Sequence, residues 1–536
     1  MTTMALNPVR VGRPAIMAWL VAIAVVIPTF MEILDTTIAN VALRYMAGGL
    51  SAPVTDSEWI ITSYLAANAT VLPITGWLSA HLGRRRYFLL SIALFTVASA
   101  MCGMATSLGQ IILFRVIQGL AGGGLQPSSQ GILLDAFPSE KQGTAMTLFG
   151  VAAIIGPIVG PVLGGWLCVN YNWRWIFLIN VPIGLVALVA CYALVEDPDY
   201  LKRERTELRR KPLNLDYIGL SLLVLVMASW EVILSKGQEW DWMKDPFWRV
   251  QALAGCFGLG LIFLIVRELT TAHPIIDLRA LRERNLAMSC IIMFIAFAVV
   301  YGGNIILPMM LQTLFGYDAF RSGQMTSPAG ISSMAAMVTV GILLGRQMDA
   351  RWMVAAGLIV MAVSCYCRSK MNLEIGPWQV IWPHMLLMLG IGLIFAPLNV
   401  AAYRYTPMHL RAAAVGLVNL LRNEGGSFGT SMSQTLEERR LQFHVSRVGE
   451  FLDPLNPHVK EFMTQSRDGL VRYTGDLAGS QRGALQALED LRQQQALSLA
   501  YFDVFWIFAV ISIALIVLVL LMKRSVAEKG ERIGAE

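Results

Sequence analysis

The chain contains a repeated series of long, nearly uncharged apolar runs, and this feature restricts its fold more than any other. Runs such as 176–195 and 504–522 reach the ~20 residues that a helix needs to cross a bilayer. Only 15% of the 536 residues are charged and 56% are hydrophobic, which leaves too few charges to cover a soluble domain. The sequence therefore predicts an all-α polytopic membrane protein and argues against a soluble enzyme.

Hydropathy and flanking charges predict fourteen membrane spans. They are expected at 15–43, 57–80, 87–106, 109–134, 144–166, 174–195, 215–234, 247–266, 286–314, 322–345, 353–371, 378–403, 411–435 and 502–522. Lys and Arg collect after spans 2, 6, 8 and 14, and cytoplasmic loops are the ones enriched in these residues. Both termini are therefore predicted to be cytoplasmic, and the polar segment 438–500 is predicted to lie on the opposite side.

Neither the net charge nor the cysteines indicate a nucleic-acid partner or a metal site. The net charge of +6 comes from Lys and Arg at the ends of apolar runs rather than on one polar face, so we expect no nucleic-acid partner. The seven cysteines include no Cys-x-x-Cys pair and none lies near a histidine at metal-ligand spacing. We therefore expect no metal and no cofactor.

Two acids lie inside the first predicted span, where a charged group is costly. Glu32 and Asp35 are three residues apart and share one helical face, which continues toward Asn40. In a polar cavity within the membrane, desolvation favours the protonated form of a carboxyl group, so either acid could load and release a proton. The alternative is that the span ends near Met31 and both acids are solvated.

The fourth predicted span carries the matching cation, Arg115, followed by Gln118 and Gln126. An intramembrane guanidinium normally needs a carboxylate or several carbonyl groups around it. Asp35 is the expected partner, and Asn40, Gln118 and Gln126 are expected to line the polar part of a substrate cavity. The alternative is an arginine at a helix end whose charged group reaches the membrane surface.

The fifth predicted span has small residues at intervals of four. Gly156, Gly160 and Gly164 recur with Pro157 and Pro161 one position later. Such a glycine stripe allows a neighbouring helix to approach closely, and the prolines remove backbone donors and soften the helix. The pattern favours a bending or gating helix, although packing alone would explain the glycines.

Similar motifs close spans 2 and 10, which predicts two structural halves. Gly76, Gly83, Arg84 and Arg85 form the first motif, and a glycine followed by basic residues and Asp349 forms the second. Such repeats are common in transporters. The predicted organisation is an N-terminal six-helix bundle at 1–195, a linker with two inserted spans at 196–285, and a C-terminal six-helix bundle at 286–536.

Four motifs in the expected order resemble those of the major facilitator superfamily. They are LDTTIANVAL at 34–43, RVIQG at 115–119, GPIVGPVLGG at 156–165 and WRWIFLINVP at 173–182. With fourteen spans, they resemble its drug:proton antiporter branch, the EmrB/QacA-like permeases. The resemblance implies two bundles that rock around a central site and export lipophilic or amphipathic compounds, with the proton gradient as the energy source.

The same resemblance implies roles for individual residues. Asp35 and Arg115 take the places of the acid and arginine that the family ties to proton coupling, and the motif from Gly156 to Gly165 takes the place of the antiporter motif. Ala80 stands where the family usually has an acid, and Arg44 stands where it usually has proline. The first departure weakens the cytoplasmic gate expected after span 2, whereas Asp349 supplies the acid in the second half.

The polar segment 438–500 is longer than a loop between neighbouring helices needs to be. Leu485, Leu488 and Leu491 recur at helical spacing among polar residues, which predicts an amphipathic helix with an apolar stripe. EmrB-like permeases resemble this chain here, and they work in the inner membrane of two-membrane bacteria with a periplasmic adaptor and an outer-membrane channel. The stripe is therefore expected to dock an adaptor, or else the segment only caps the transporter.

Three other functions compete with export. Of the six histidines only His384 lies near a span interior, so no nucleophile and base are expected to meet in the membrane and an enzyme is disfavoured. A channel fits the two-half organisation less well than alternating access does. Proton-coupled transport of a specific small polar solute remains the alternative.

Overall fold

The fold is helical throughout the part of the chain that the structure describes. A computed structural model describes residues 15–137, 142–198, 201–202, 206, 216–271, 274–317, 319–407, 410–453 and 455–525. Every regular element among these residues is an α-helix or a short 3₁₀ turn. Eleven of the described helices are long and apolar enough to cross a membrane, judged by length and composition. The prediction of an all-α polytopic membrane protein is confirmed.

The helices of the N-terminal part cover the first six predicted spans. In chain order they are α1 (Ala15–Gly49), α2 (Val54–Ser57), α3 (Trp59–Val71), α4 (Thr75–Leu82), α5 (Arg84–Met104), α6 (Leu108–Gly122), α7 (Leu125–Ala136), α8 (Gln142–Asn170), α9 (Trp175–Leu178) and α10 (Asn180–Leu194).

Local sequence explains the breaks within these spans. α3 and α4 are separated at Pro73, which has no backbone donor to continue the helix. α6 and α7 are separated at Gly123 and Gly124. A Cβ at Gly124 would stand 2.2 Å from the Tyr87 hydroxyl on α5, so only glycine allows the two helices to approach this closely.

The remaining helices cover the inserted pair and the last six predicted spans. They are α11 (Tyr217–Lys236), α12 (Arg249–Thr270), α13 (Arg284–Thr313), α14 (Ala319–Thr326), α15 (Ala329–Gly345), α16 (Ala350–Ser369), α17 (Pro377–Arg404), α18 (Arg411–Gly449), α19 (Pro457–Thr474) and α20 (Leu477–Leu520), with 3₁₀ turns at Trp242–Lys244 and Leu278–Arg282.

The eleven membrane-length helical stretches coincide with eleven of the predicted spans. Three of these stretches combine two consecutive helices: α6 with α7, α9 with α10, and α14 with α15. The other three predicted spans, at 57–80, 144–166 and 411–435, coincide with α3 and α4, with α8, and with α18. The structure is thus consistent with fourteen spans.

The helices of the last two predicted spans extend beyond the predicted membrane boundaries. α18 has 39 residues and runs to Gly449, and α20 has 44 residues and already begins at Leu477. Hydropathy falls where each helix leaves the apolar region, but polar pairs one turn apart continue to support the helix. In α20, Glu489 accepts hydrogen bonds from Arg492 at 3.0 Å and from Gln493 at 3.0 Å. The segment 438–500 therefore consists of two helical extensions and α19 rather than a loop.

The described residues fall into two compact units. One contains residues up to 228 together with 263–277, and the other contains 229–262 together with 278–525. In the first unit, α1 packs along α8, α6 along α3, and α10 against α1 and α5. In the second, α13 packs along α18, and α16 along α17 and α20. The three-part division at 195 and 285 stays a prediction.

Candidate functional site

The two charged residues that the sequence singled out in spans 1 and 4 form an ion pair inside the first unit. Arg115 on α6 donates from Nη1 to Oδ2 of Asp35 on α1 at 2.5 Å. Asp35 is 2% exposed and Arg115 is 0% exposed. The pair is therefore desolvated, and each charge depends on the other and on nearby polar groups for compensation.

Two side-chain amides complete the shell around the Asp35 carboxylate. Gln118, one turn beyond Arg115 on α6, donates to Oδ1 at 2.9 Å. Asn180, at the start of α10, donates to the same oxygen at 2.7 Å and to the hydroxyl of Ser99 at 3.1 Å. Helices α1, α6 and α10 thus meet at one carboxylate, whose ionised form has three donors.

The guanidinium of Arg115 is held on its other sides by α3 and α9. Its Nε donates to the carbonyl oxygen of Ile60 at 3.1 Å. Its Cζ lies 4.1 Å from the centre of the Tyr64 ring and 5.6 Å from that of Phe177, distances at which a cation is attracted to an aromatic face. Arg115 therefore does not extend to the membrane surface, and this alternative is wrong.

The other predicted site residues have different surroundings. Glu32 is buried and accepts a hydrogen bond from Asn68 on α3 at 3.1 Å. Asn40 is exposed on α1. Gln126 is buried on α7. Of the three residues predicted to line the cavity, the structure brings only Gln118 to the ion pair, and the cavity assignments stay predictions.

The glycine stripe of α8 packs against the helix that carries Asp35. A Cβ at Gly156 would stand 2.5 Å from Ile33, and a Cβ at Gly160 would stand 2.1 Å from the Thr37 hydroxyl. A Cβ at Gly164 would stand 3.0 Å from Ile38. The two helices are therefore in direct contact, and a change in α8 would act on the helix of the buried acid.

The remaining positions of this motif give less information. A Cβ at Gly165 would have no neighbour within 4 Å, so this glycine is not needed for the helix contact. Pro157 and Pro161 lie within α8, but their side chains fall outside the described residues. The gating role of the prolines stays a prediction.

The motif after span 2 contacts acidic residues from elsewhere in the first unit. Gly76 lies within α4, and Gly83 adopts a φ of 90° between α4 and α5, a conformation that favours glycine. Arg84 donates to the Gly131 carbonyl at 3.0 Å and forms an ion pair with Asp135.

Arg85 completes these contacts through Asp197 and Tyr192. Its backbone amide donates to Asp197 at 2.8 Å, and its side chain donates to the Tyr192 carbonyl at 2.6 Å. Asp135 and Asp197 thus supply negative charge to the motif in which Ala80 replaces the usual acid.

Asp349 holds the start of α16. It accepts from the Arg351 side chain at 2.8 Å and 3.0 Å and from the backbone amide of Ser525 at 3.2 Å. Burial raises the pKa of this carboxyl, but hydrogen bonds from the Arg351 side chain and the two backbone amides outweigh burial and lower the pKa below its ordinary value. The group is therefore an anion at neutral pH.

The leucine stripe of the polar segment lies on α20. Leu485 and Leu491 are 54% and 43% exposed, and Leu488 between them is half-buried. The predicted amphipathic helix is therefore present, and it is continuous with the last membrane span. Its apolar stripe is open to contact in this chain.

Sequence reasoning missed several buried polar residues. Asn180 belongs to the motif WRWIFLINVP at 173–182, but no role was predicted for it, although it is a polar residue in an apolar span. Glu231 on α11 and Glu424 on α18 are buried acids, and Arg368 on α16 donates to His384 on α17 at 2.7 Å in the second unit. Each is an ionisable group in an apolar helix, the same signal that identified Asp35.

The structure shows how potential metal-ligating side chains and thiols are arranged in the described ranges. No group of three or more His, Cys, Asp or Glu side chains there could hold a metal ion. All seven cysteines are free thiols.

Known proteins are similar to this chain over almost its whole length. The family model of the Major Facilitator Superfamily matches residues 25–430 of this chain. The chain is 35% identical to the "Probable multidrug resistance protein EmrY" of Escherichia coli (strain K12), over 96% of each chain. It is 34% identical to the "Multidrug export protein EmrB" of the same strain, over 93% of this chain and 94% of that protein.

The fold has counterparts among solved structures. The solved structure of the proton:xylose symporter XylE aligns with a TM-score of 0.58 and 12% sequence identity, over 94% of this chain and 95% of that chain. At this identity the likeness concerns the fold alone. Together with the family match, it identifies a multi-pass transporter fold rather than an enzyme. The chain belongs to the major facilitator superfamily, in its EmrB-like drug:proton antiporter branch.

Proposed function

We propose that this protein is a proton-coupled antiporter that exports lipophilic or amphipathic compounds by alternating access. The observation that carries the proposal is the buried ion pair of Asp35 and Arg115, a carboxylate held inside a membrane span by an arginine and two amides. EmrB and EmrY, which are similar over almost their whole length, are named as multidrug export and resistance proteins.

The proposed coupling step is a proton transfer at Asp35. When the carboxylate takes up a proton from water, its attraction to Arg115 falls, because the ion pair becomes a hydrogen bond between an acid and a cation. The contact between α1 and α6 then loses strength, and the balance between two conformations shifts. Release of the proton on the other side restores the pair.

The contact of α8 with α1 offers a route from this step to a larger movement. Gly160 lies against Thr37, two residues beyond Asp35 on the same helix. A rotation or shift of α1 that follows proton uptake would therefore press on α8. We propose that the glycine stripe transmits this movement, and that the energy comes from the proton gradient without a cofactor.

The test is substrate-induced collapse of a pH gradient in everted membrane vesicles. Wild-type protein should dissipate the gradient when an amphipathic toxicant is added, and the toxicant should move into the vesicle, the direction of export. Asp35→Asn should keep normal expression and abolish both signals. Asp56→Asn changes an exposed acid of the same unit and should leave both signals unchanged.

Two results would overturn the proposal. Gradient collapse by Asp35→Asn at the wild-type rate would remove Asp35 from the coupling step and transfer the role to Glu32. Movement of substrate out of everted vesicles, driven by the proton gradient, would show uptake rather than export.

We further propose that the protein acts in a bacterial inner membrane with both termini in the cytoplasm and with a periplasmic adaptor that leads to an outer-membrane channel. The exposed leucines on α20 support this, since an apolar stripe on a polar helix favours burial against a partner. EmrB-like permeases share the long segment at this position.

A further inference from the structure

Two buried acids of the second unit face each other away from the Asp35 site. Glu231 lies on α11, the first of the two inserted helices, and Glu424 lies on α18. They are 2% and 4% exposed. Neither acid belongs to the proton-coupling cluster, which lies entirely in the first unit.

The hydrogen-bonding state of these acids is unusual. The two carboxyl groups lie within hydrogen-bonding reach of one another. One oxygen of Glu231 and both oxygens of Glu424 are buried without an aligned donor. An ionised carboxylate can only accept hydrogen bonds, so two ionised groups here would repel each other with no donor between them. A single proton between the two groups supplies the missing donor.

An aromatic cluster lies on the helices that carry the pair and on α12 and α13. Trp230, next to Glu231 on α11, stacks on Phe257 of α12 at 4.9 Å and on Phe428 of α18 at 6.1 Å. Phe428 in turn contacts Phe294 of α13 at 5.5 Å. These rings keep water and its high dielectric from the carboxyl groups, which makes a second negative charge at this place costly. The Trp230 side chain is a weak donor near Glu424, and the Ser427 side chain is a weak donor near Glu231.

The two cations nearest to the pair along the chain have other contacts. Arg422, two residues before Glu424, lies 5.9 Å from the Phe297 ring and donates to Asn423. Lys236, on the next turn of α11, is bound to Glu239 at 2.6 Å.

The other elements packed there offer only weakly acidic groups. Residues 250–266 of α12 and 285–312 of α13 contain no Asp, Glu, Lys or Arg. Their titratable side chains are Cys256 on α12, and Cys290 and Tyr301 on α13.

We infer that Glu231 and Glu424 form a second proton-binding site, in which one exchangeable proton is shared between the two carboxyl groups. The proton leaves to water when the pair is hydrated, which creates two carboxylates, and it returns when the pair is dehydrated. The site gives the inserted helix α11 a function, because this helix supplies half of the site. The inference stands on the geometry of the pair and does not require any particular substrate.

Infrared spectroscopy of the purified, full-length protein in lipid nanodiscs tests the inference. A protonated carboxyl group has a C=O stretch that shifts in D₂O and disappears when the group ionises. The wild-type protein minus Glu424→Gln difference spectrum should contain one such band, and so should the difference spectrum with Glu231→Gln. The double variant should lose no more than either single variant, because the two acids share one proton.

Control variants show whether the loss of the band is specific to Glu231 and Glu424. Glu438→Gln changes an exposed acid of α18 and should leave the band intact, as should Asp35→Asn. Size-exclusion profiles and thermal unfolding establish that each variant is folded.

Three results would overturn the inference: no band lost in either single variant, separate bands that add up in the double variant, or a band that neither shifts in D₂O nor disappears at alkaline pH. The readout requires no transport. A failure of the inference therefore leaves the proposed function standing, and the reverse also holds.

Discussion

Asn180 donates a hydrogen bond of 2.7 Å to the same oxygen of Asp35 that accepts from Gln118. This contact ties the start of α10 to the buried acid of α1 and supplies one of the three donors to its carboxylate. Asn180→Leu removes the donor at similar size. We expect slower gradient collapse, because the buried carboxylate loses one of its donors, and a stability loss of about 1–3 kcal/mol.

The measurement for Asn180→Leu is the rate of gradient collapse in everted vesicles. Asn170→Leu, at the exposed end of α8, serves as the control and should keep the wild-type rate. An unchanged rate in Asn180→Leu would contradict a role for this amide at the proton site.

The ion pair of Asp35 and Arg115 predicts that a single and a double variant differ in stability, although neither transports. Arg115→Met leaves Asp35 buried without its counter-charge, which should cost about 3–5 kcal/mol. The double variant Asp35→Asn/Arg115→Met removes both charges and should recover most of the thermal stability, but neither variant should transport. Thermal unfolding in detergent and gradient collapse in vesicles are the two measurements. A double variant less stable than Arg115→Met would count against the pair.

The contact between α8 and α1 predicts different effects at two glycines of one motif. Gly160→Ala places a methyl group 2.1 Å from the Thr37 hydroxyl, so the helices must separate, at a cost of about 1–3 kcal/mol. Gly160→Leu should impair transport further. Gly165→Ala meets no neighbour within 4 Å and should transport normally. Equal activity of Gly160→Leu and Gly165→Ala would show that the close approach is not needed.

The exposed leucines of α20 predict a defect that appears only in whole cells. Leu485→Glu and Leu491→Glu should leave folding and vesicle transport intact, because both side chains are already exposed. Resistance of cells and co-purification with the adaptor should be lost. Gln486→Glu, on the same exposed turn, is the matched control. Full resistance in the leucine variants would leave the segment as a simple cap.

The connection between the inserted helices predicts a pH-dependent stability difference. Hydrogen bonds from the Arg249 side chain lower the pKa of Asp245 to about 2, below the ordinary value of about 3.9. A lowered pKa stabilises the fold fully above the ordinary value, and this contribution disappears as pH falls through 2. Asp245→Asn should therefore lower Tm at pH 7 and differ less from wild type at pH 3. A constant difference would contradict this assignment.

The sequence predicted the fold class because its information is local. Each span is a run of apolar residues, and a helix is the one element that satisfies its own backbone within lipid. The same local logic identified Asp35, Arg115 and the glycines of α8, because a charge or a four-residue repeat in an apolar helix is visible without a partner. It did not show how far α18 and α20 continue beyond their membrane spans, because hydropathy reports the membrane and not the helix.

Which buried side chains contact one another was decided by the tertiary structure alone. Nothing in the spacing of Glu231 and Glu424, or of Asp35 and Asn180, shows that these side chains meet, because each pair lies on helices far apart in the chain. Whether a buried acid faces an arginine, an amide or another acid depends on how the helices pack. That packing places an arginine and two amides around Asp35 and leaves Glu424 facing a second carboxyl group, so that two similar acids differ in how their charge is compensated.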